Sequence, residues 1–343
     1  MNTLTGLLII AIGSMGQSSS YVPIKKVKSW AWESFWLVQG IFAWLLFPYL
    51  GALLAVPEGH TLTEVLGAGE GAALKALFYG ALWGVGGLTF GLSMRYLGVA
   101  LGQSIALGTC SAFGTIIPAL MVGTDLLSGE GLALLIGVSV AIAGIAVIGF
   151  AGSLRSKNMT DEQKKAAVKD FALGKGLLVA LLAGVMSACF SLGIEAATPI
   201  KELAVSLGTK SLYAGLPAIF MITLGGFFTN AVYCIFQNFK NKTIKDYFSV
   251  SGSVFVNNVL FCALAGVLWY SQFFGLELGK SFIDSPIMIA FSWSILMSIN
   301  IIFSNVWGIL LKEWKGAGTK TIVVLVSGMA ILIFSLVLPN LMK

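Results

Sequence analysis

The stretch YVPIKKVKSWAWESFW, Tyr21 to Trp36, sets three lysines, three tryptophans and one glutamate between two long apolar runs. Lysine and tryptophan together mark the depth at which a helix leaves hydrocarbon, with ammonium groups in water and Trp30, Trp32 and Trp36 as an aromatic belt. Composition says why that reading applies. The 343 residues are 57% hydrophobic and 10% charged, with a mean hydropathy of +0.91, whereas soluble domains carry about 25% charged residues. In a chain of this kind the unit to count is the spanning segment of roughly 20 apolar residues.

Working outward from Tyr21, apolar runs fall at 4–22, 33–55, 74–93, 99–122, 132–152, 174–196, 212–236, 254–277, 286–310 and 321–340. They predict an all-α integral membrane protein with ten transmembrane helices. The first run is not built as a signal peptide, because MNTLTGLL carries no lysine or arginine and the positive charge comes after the apolar core. An uncleaved helix with its N-terminus outside is expected.

The remaining basic residues agree with that orientation. With the N-terminus outside, the inner loops collect Lys25, Lys26, Lys28, Arg95, Arg155, Lys157, Lys164, Lys165, Lys169, Lys175, Lys240, Lys242, Lys245, Lys312, Lys315 and Lys320. The outer side keeps only Lys75, Lys201, Lys210, Lys280 and Lys343. This positive-inside bias places both termini outside. The net charge of +6 is then a topology signal and gives no reason to invoke nucleic acid.

Short words recur five spans apart. A GLL at Gly6 opens a run ending in Pro23-Ile24-Lys25, and a GLL at Gly176 opens one ending in Pro199-Ile200-Lys201. Leu82-Trp83 with Phe90-Gly91-Leu92 pairs in the same way with Leu268-Trp269 and Phe274-Gly275-Leu276. An odd number of spans per copy turns the second copy upside down, so two inverted five-helix repeats are expected, at 1–152 and 174–343, joined by a cytoplasmic linker at 153–173. Such repeats characterise secondary transporters, which hold substrate near the midplane.

Polar residues inside the runs fall on helical faces. Ser14, Gln17, Tyr21 and Lys25 share one, as do Ser104, Gly108, Ser111 and Thr115, and Ser187, Ser191 and Glu195. Asn258, Cys262, Ala265, Trp269 and Gln272 form another, and Trp293, Met297, Asn300 and Ser304 a fifth. Each stripe reads either as a pathway lining or as an interhelical hydrogen-bonding seam. Gly80, Gly84, Gly87 and Gly91 form a smooth face suited to close helix packing.

Several motifs carry a resemblance. Tyr21 to Lys28 with Trp30-Ala31-Trp32-Glu33, the Met94-Arg95-Tyr96-Leu97-Gly98 turn, Trp269-Tyr270 with Gln272-Phe273-Phe274, and Leu311-Lys312-Glu313-Trp314 near Gly316-Ala317-Gly318 resemble the L-rhamnose-proton symporter family. That family belongs to the drug/metabolite transporter superfamily of ten-helix carriers, and the likeness runs from the first span to the last. The resemblance implies proton-driven import of a 6-deoxyhexose across a bacterial inner membrane, with a sugar, a proton and the bilayer as partners and no cofactor.

The stripes suit such a substrate. A deoxyhexose offers hydroxyls, an apolar ring face and a methyl group. Gln17, Asn258, Gln272 and Asn300 are candidates for its hydrogen bonds, Trp83, Trp269 and Trp293 for an aromatic platform, and Tyr21 for either role. Proton coupling needs an acid on the pathway; the candidates are Glu195, alternatively an outer-boundary residue, and Glu33, alternatively a gate or anchor beside the lysines. Glu277 reads as an outer-edge residue.

Enzyme chemistry finds little material. The one histidine, His60, lies in a loop, and Cys110, Cys189, Cys234 and Cys262 fall singly on four spans without metal spacing. No GxxxxGK[ST] motif occurs, so nucleotide is not the expected energy source. An exporter or exchanger of the same superfamily and a non-transporting membrane sensor stand as alternatives.

Overall fold

In hydrocarbon an apolar run satisfies its own backbone by coiling, and the computed structural model of the chain does this throughout. It describes residues 3–69, 71–97, 99–157, 172–311 and 314–342. Among them all regular structure is helical. Ten helices are long and apolar enough to cross a membrane, here numbered spans 1 to 10: Thr3–Ile24, Trp32–Leu53, Ala72–Ser93, Ser104–Met121, Gly129–Arg155, Gly174–Ser206, Leu216–Asn241, Gly252–Lys280, Pro286–Leu310 and Thr319–Leu341. Each of the ten predicted runs corresponds to one of them. Most of the predicted linker, residues 158–171, lies outside the described residues, as does the Lys312-Glu313 pair.

Spans 1 and 6 break at matching places. In span 1 the helix Thr3–Ser19 passes Ser20 and resumes as Tyr21–Ile24 around Pro23, and in span 6 the helix Leu173–Ala196 passes Ala197 and resumes as Thr198–Ser206 with Pro199 in its first turn. Proline withholds an N–H and crowds the carbonyl four residues back, so a break just ahead of it costs the helix little more. Span 2 departs from its prediction as a plain helix. Between Trp32–Gly40 and Phe47–Leu53 the backbone is a π-helix over Ile41–Leu46, where the Phe47 amide donates to Phe42 O, five residues back. Pro48 follows at once and has no N–H to return to Trp44, so the wider turn sits where the α register is already interrupted.

The chain divides into two compact units. Unit 1 comprises Met1–Gly84 and Gly193–Phe282, and unit 2 comprises Val85–Leu192 and Ile283–Lys343. Each takes helices from both sequence halves: spans 1, 2, 7 and 8 lie in unit 1, and spans 4, 5, 9 and 10 in unit 2.

Unit 1 is held by small residues at close helix crossings. Spans 1 and 8 approach until a Cβ at Gly13 would meet Ser271 O at 2.5 Å and one at Gly279 would meet Gly6 O at 2.7 Å. Ser271 Oγ donates to Gly13 O at 3.0 Å across the same crossing. Gly80 packs on the Ile222 carbonyl, and a Cβ at Gly84 would lie 3.0 Å from Gly226 O. The predicted glycine stripe is thus half used, since a Cβ at Gly87 or Gly91 would meet nothing within 4 Å.

Unit 2 has an aliphatic core. Ala141, Ile145, Ile148 and Ala151 of span 5 pack on Ile301 of span 9 and Leu325 and Leu332 of span 10. A Cβ at Gly328 would lie 3.0 Å from Gly144 O, which brings spans 5 and 10 nearly backbone to backbone. Ser111 and Ser294 share a hydrogen bond at 2.9 Å, and Ser191 Oγ donates to Gly114 O at 2.6 Å. These serines form seams between helices.

Candidate functional site

The π turn of span 2 turns one indole inward. Trp44 folds back over Gly40, where a Cβ would lie 2.8 Å from its ring. Three other indoles surround it within unit 1. Trp36 stands 5.5 Å away, Trp83 6.0 Å away at 88°, and Trp269 5.9 Å away at 82°, all edge to face. Trp83 and Trp269 are 5.6 Å apart and inclined at 37°, and Gly226 leaves the space that the Trp83 ring occupies. Trp44 is buried, whereas Trp36, Trp83 and Trp269 are half-buried and keep accessible ring surface. Phe273 extends the cluster from Trp269 at 5.2 Å.

Polar atoms accompany the rings. Trp36 Nε1 donates to Asn230 Oδ1 at 3.1 Å, and Asn230 Nδ2 donates to Gly226 O at 2.9 Å. Gln272 is buried and donates to Trp269 O at 3.2 Å. Gln39 Oε1, Trp44 Nε1 and Tyr270 OH are buried without a hydrogen-bond partner. Leaving such a group unmet costs about 1–3 kcal/mol, so Trp44 Nε1 gives the cluster unspent hydrogen-bonding capacity beside an apolar surface. That pairing is what binds a molecule with one apolar face and several hydroxyls.

The start of span 2 has a different character. Glu33 is buried and accepts from Asn241 Nδ2 at 2.9 Å and Thr243 Oγ1 at 2.8 Å. Asp246, also buried, accepts from Ala31 N at 2.7 Å and Ser34 Oγ at 2.9 Å, while its carbonyl accepts from Trp30 Nε1 at 2.8 Å. Among the described residues no lysine or arginine pairs with either acid, and both sit at a helix N-terminus, where backbone dipoles favour negative charge. Tyr247 donates to Ser34 O at 3.3 Å; burial pushes its phenol up, which keeps it a donor. Trp30, expected in the headgroup belt, is 8% exposed and packs edge-on against Tyr247 and Phe255. Its indole N–H has a protein acceptor and needs none from headgroups.

The predicted site residues divide accordingly. Trp83 and Trp269 meet in the cluster, with Gln272 one turn away. Gln17 is half-buried on span 1, and Tyr21 is 53% exposed. Asn258 is committed elsewhere, accepting from Lys28 N at 2.9 Å and donating to Lys28 O at 2.8 Å. With Asn257 on Lys26 O, it clamps the lysine turn, in which Ser29 has φ +57°, onto span 8. Trp293 and Asn300 belong to unit 2, where Trp293 is buried, donates to Cys110 O at 3.3 Å and stacks on Phe190 at 5.8 Å. Glu195 is half-buried in unit 1, with no hydrogen bond or ion pair to a described residue. Glu277 is buried near the end of span 8, between Lys280 at 3.2 Å and Lys201 at 3.9 Å.

Reading the sequence alone missed Gln39, Trp44, Asn230 and Asp246. Gln39 and Trp44 are five apart, a spacing that an α-helical period does not group, and Asp246 stood in what looked like a solvated basic loop. The Pro48 that follows the π turn is the one local signal that the α register is interrupted there.

Residues 1–341 match the profile of the L-rhamnose-proton symport protein family. The chain is 35% identical over 338 residues to the L-rhamnose-proton symporter of Yersinia pestis (strain Pestoides F), covering 97% of this chain and 96% of that protein. The symporter of the same description from Yersinia pseudotuberculosis (serotype O:1b, strain IP 31758) matches equally. A match of this length includes every span, the tryptophan cluster and both ends of span 8, and the chain belongs to the L-rhamnose-proton symport protein family.

Proposed function

We propose that the chain imports L-rhamnose, or a closely related 6-deoxyhexose, together with a proton across a bacterial inner membrane by alternating access. The observation that carries this reading is the family match over the whole chain, in a molecule of ten spans whose relatives are transporters rather than enzymes. Both termini lie outside in this reading, and the two halves are inverted repeats; the matching breaks of spans 1 and 6 support the repeat.

The sugar's apolar face rests on Trp83 and Trp269, and Gln17, Tyr21 and Gln272 serve its hydroxyls. Glu195 carries the proton. Its carboxylate is half-buried and uncommitted, whereas the Glu33 carboxylate is already engaged by Asn241 and Thr243. A proton moving inward gains about 2.3 kcal/mol per 100 mV of membrane potential, which drives accumulation without nucleotide.

The test is the external pH of a lightly buffered, anaerobic suspension of expressing cells on addition of L-rhamnose. Alkalinisation specific to the sugar and abolished by a protonophore is expected. Labelled-sugar uptake without a pH change would mean another ion or uniport; no uptake at all would turn attention to export or to sensing. Glu195→Gln is expected to abolish accumulation against a gradient while sparing exchange, and retained uphill uptake would remove Glu195 from the proton path.

A further inference from the structure

Gln39 and Trp44 are 2% and 4% exposed, and Gln39 Oε1 and Trp44 Nε1 have no hydrogen-bond partner. They flank the entry into the π-helix Ile41–Leu46. Gln39 lies in the α-helix just before it and Trp44 within it, and the wider π turn brings Trp44 closer to the Gln39 face than five α-helical steps would. One of these atoms accepts and the other donates. Both are deeply buried at the only π-helical turn among the described residues, and Trp44 is ringed by the indoles of Trp36, Trp83 and Trp269.

The opposite signs restrict what can satisfy them together. A carboxylate or phosphate only accepts and would leave Gln39 Oε1 unmet; an ammonium only donates and would leave Trp44 Nε1 unmet. A hydroxyl does both. We infer that one hydroxyl of the transported sugar donates to Gln39 Oε1 and accepts from Trp44 Nε1, which makes these two residues specificity determinants of the tryptophan cluster. This assignment rests on the sugar-transport reading above. The π turn is then the device that aims the pair: an α-helical register through 41–46 would turn Trp44 further from the Gln39 face. A site built to hydrogen-bond a hydroxyl rejects the analogue lacking it, because both protein groups are left buried and unpaired.

The experiment measures dissociation constants of L-rhamnose and of its analogues lacking one hydroxyl each, using the purified full-length chain and its Gln39→Met and Trp44→Phe variants. One analogue is expected to bind the native chain about tenfold or more weakly than L-rhamnose, the effect of a lost buried hydrogen bond. That ratio should shrink at least threefold in each variant and vanish in the double variant, while the ratios for the other analogues hold. A ratio of affinities does not depend on the folded fraction of a preparation. Gln39→Asn, which keeps the amide but draws it back by one methylene, reads the same quantity if Gln39→Met does not fold. Native binding of L-rhamnose with an undiminished penalty in both variants, or with all analogues bound alike, would overturn the assignment and leave the sugar reading standing. No binding of L-rhamnose by the native chain would overturn both.

Discussion

Every buried asparagine, glutamine, aspartate and glutamate among the described residues lies in unit 1, whereas the buried polar side chains of unit 2 are all serine or threonine. The difference is one of reach. A serine can return its hydrogen bond to its own helix, as Ser93 does to Phe90 O and Ser335 to Leu332 O, both at 2.7 Å. Amides and carboxylates carry more capacity than their own turn absorbs, and Glu33, Asp246, Asn230, Asn238 and Asn258 each bond to another element. Unit 2 is therefore held by shape, through Ala, Gly, Ile and Leu, and by serine seams such as Ser111–Ser294 and Ser191–Gly114. Unit 1 is held by shape and by a polar framework that admits one arrangement, and its aromatic cluster is built on that framework.

The largest expected effect comes from cutting the framework. Asp246→Ala leaves the Ala31 amide without its acceptor, while Ser34 Oγ can still donate to Asn238 Oδ1 at 3.0 Å, and is expected to cost about 1–3 kcal/mol. Ser335→Ala in unit 2 removes a bond within one helix, and is expected to cost under about 1 kcal/mol. Denaturant unfolding of the two variants in the same detergent measures both. Equal losses would break the contrast between the units.

Glycine sharpens it at the level of packing. Gly80→Leu must displace the Ile222 backbone of span 7, and overpacking of this kind costs about 1–3 kcal/mol. Gly87→Ala meets open space, and a helical Gly→Ala exchange is expected to stabilise by about 0.5–1 kcal/mol. Thermal unfolding of the pair should move in opposite directions. A shared loss would mean that the face bearing Gly87 is packed in a way that the structure does not contain.

How far the sequence could be read follows from the same chemistry. Hydropathy finds spans because hydrocarbon permits little besides helices, so all ten runs reappear as helices with ends shifted by a few residues. The 9-residue extension of span 6 past Ala197 escaped because Pro199 reads as a stop, although proline is well tolerated in a first turn. Trp83 and Trp269 were legible as a pair from the repeated Leu-Trp words. Trp44 was not, since its inward position depends on the π register. Asn258 lay on the right stripe, yet its amide closes the lysine turn, because spacing along one helix reports which residues share a face and is silent on what that face meets. Glu33 and Asp246 are joined through a turn more than 200 residues away in sequence, and no local pattern records such a contact.

The smallest expected effect tests whether the burial of Glu33 and Asp246, rather than their place at a helix start, makes them structural. The short helix Leu62–Leu66 has the same device in water: Thr61 N donates to Glu64 Oε2 at 2.6 Å and Glu64 N donates to Thr61 Oγ1 at 3.3 Å, a capping box. The Thr61 amide, and then its hydroxyl, hold the Glu64 carboxyl below the usual carboxylate range, with His60 adding a little. A depressed folded pKa contributes stability that is present above the unfolded value and is lost as pH falls through the folded value. Acidification below the ordinary glutamate range should therefore loosen this helix, and alkalinisation should not. Because Glu64 is open to solvent, the effect stays local. A carbon-13 titration of the Glu64 carboxyl is expected to show a midpoint that rises partway toward the ordinary value in Thr61→Ala, where the amide donor remains, with no change in global unfolding temperature. A global loss as large as that of Asp246→Ala would mean that helix-end position alone decides, and the contrast between buried and exposed acids would fail.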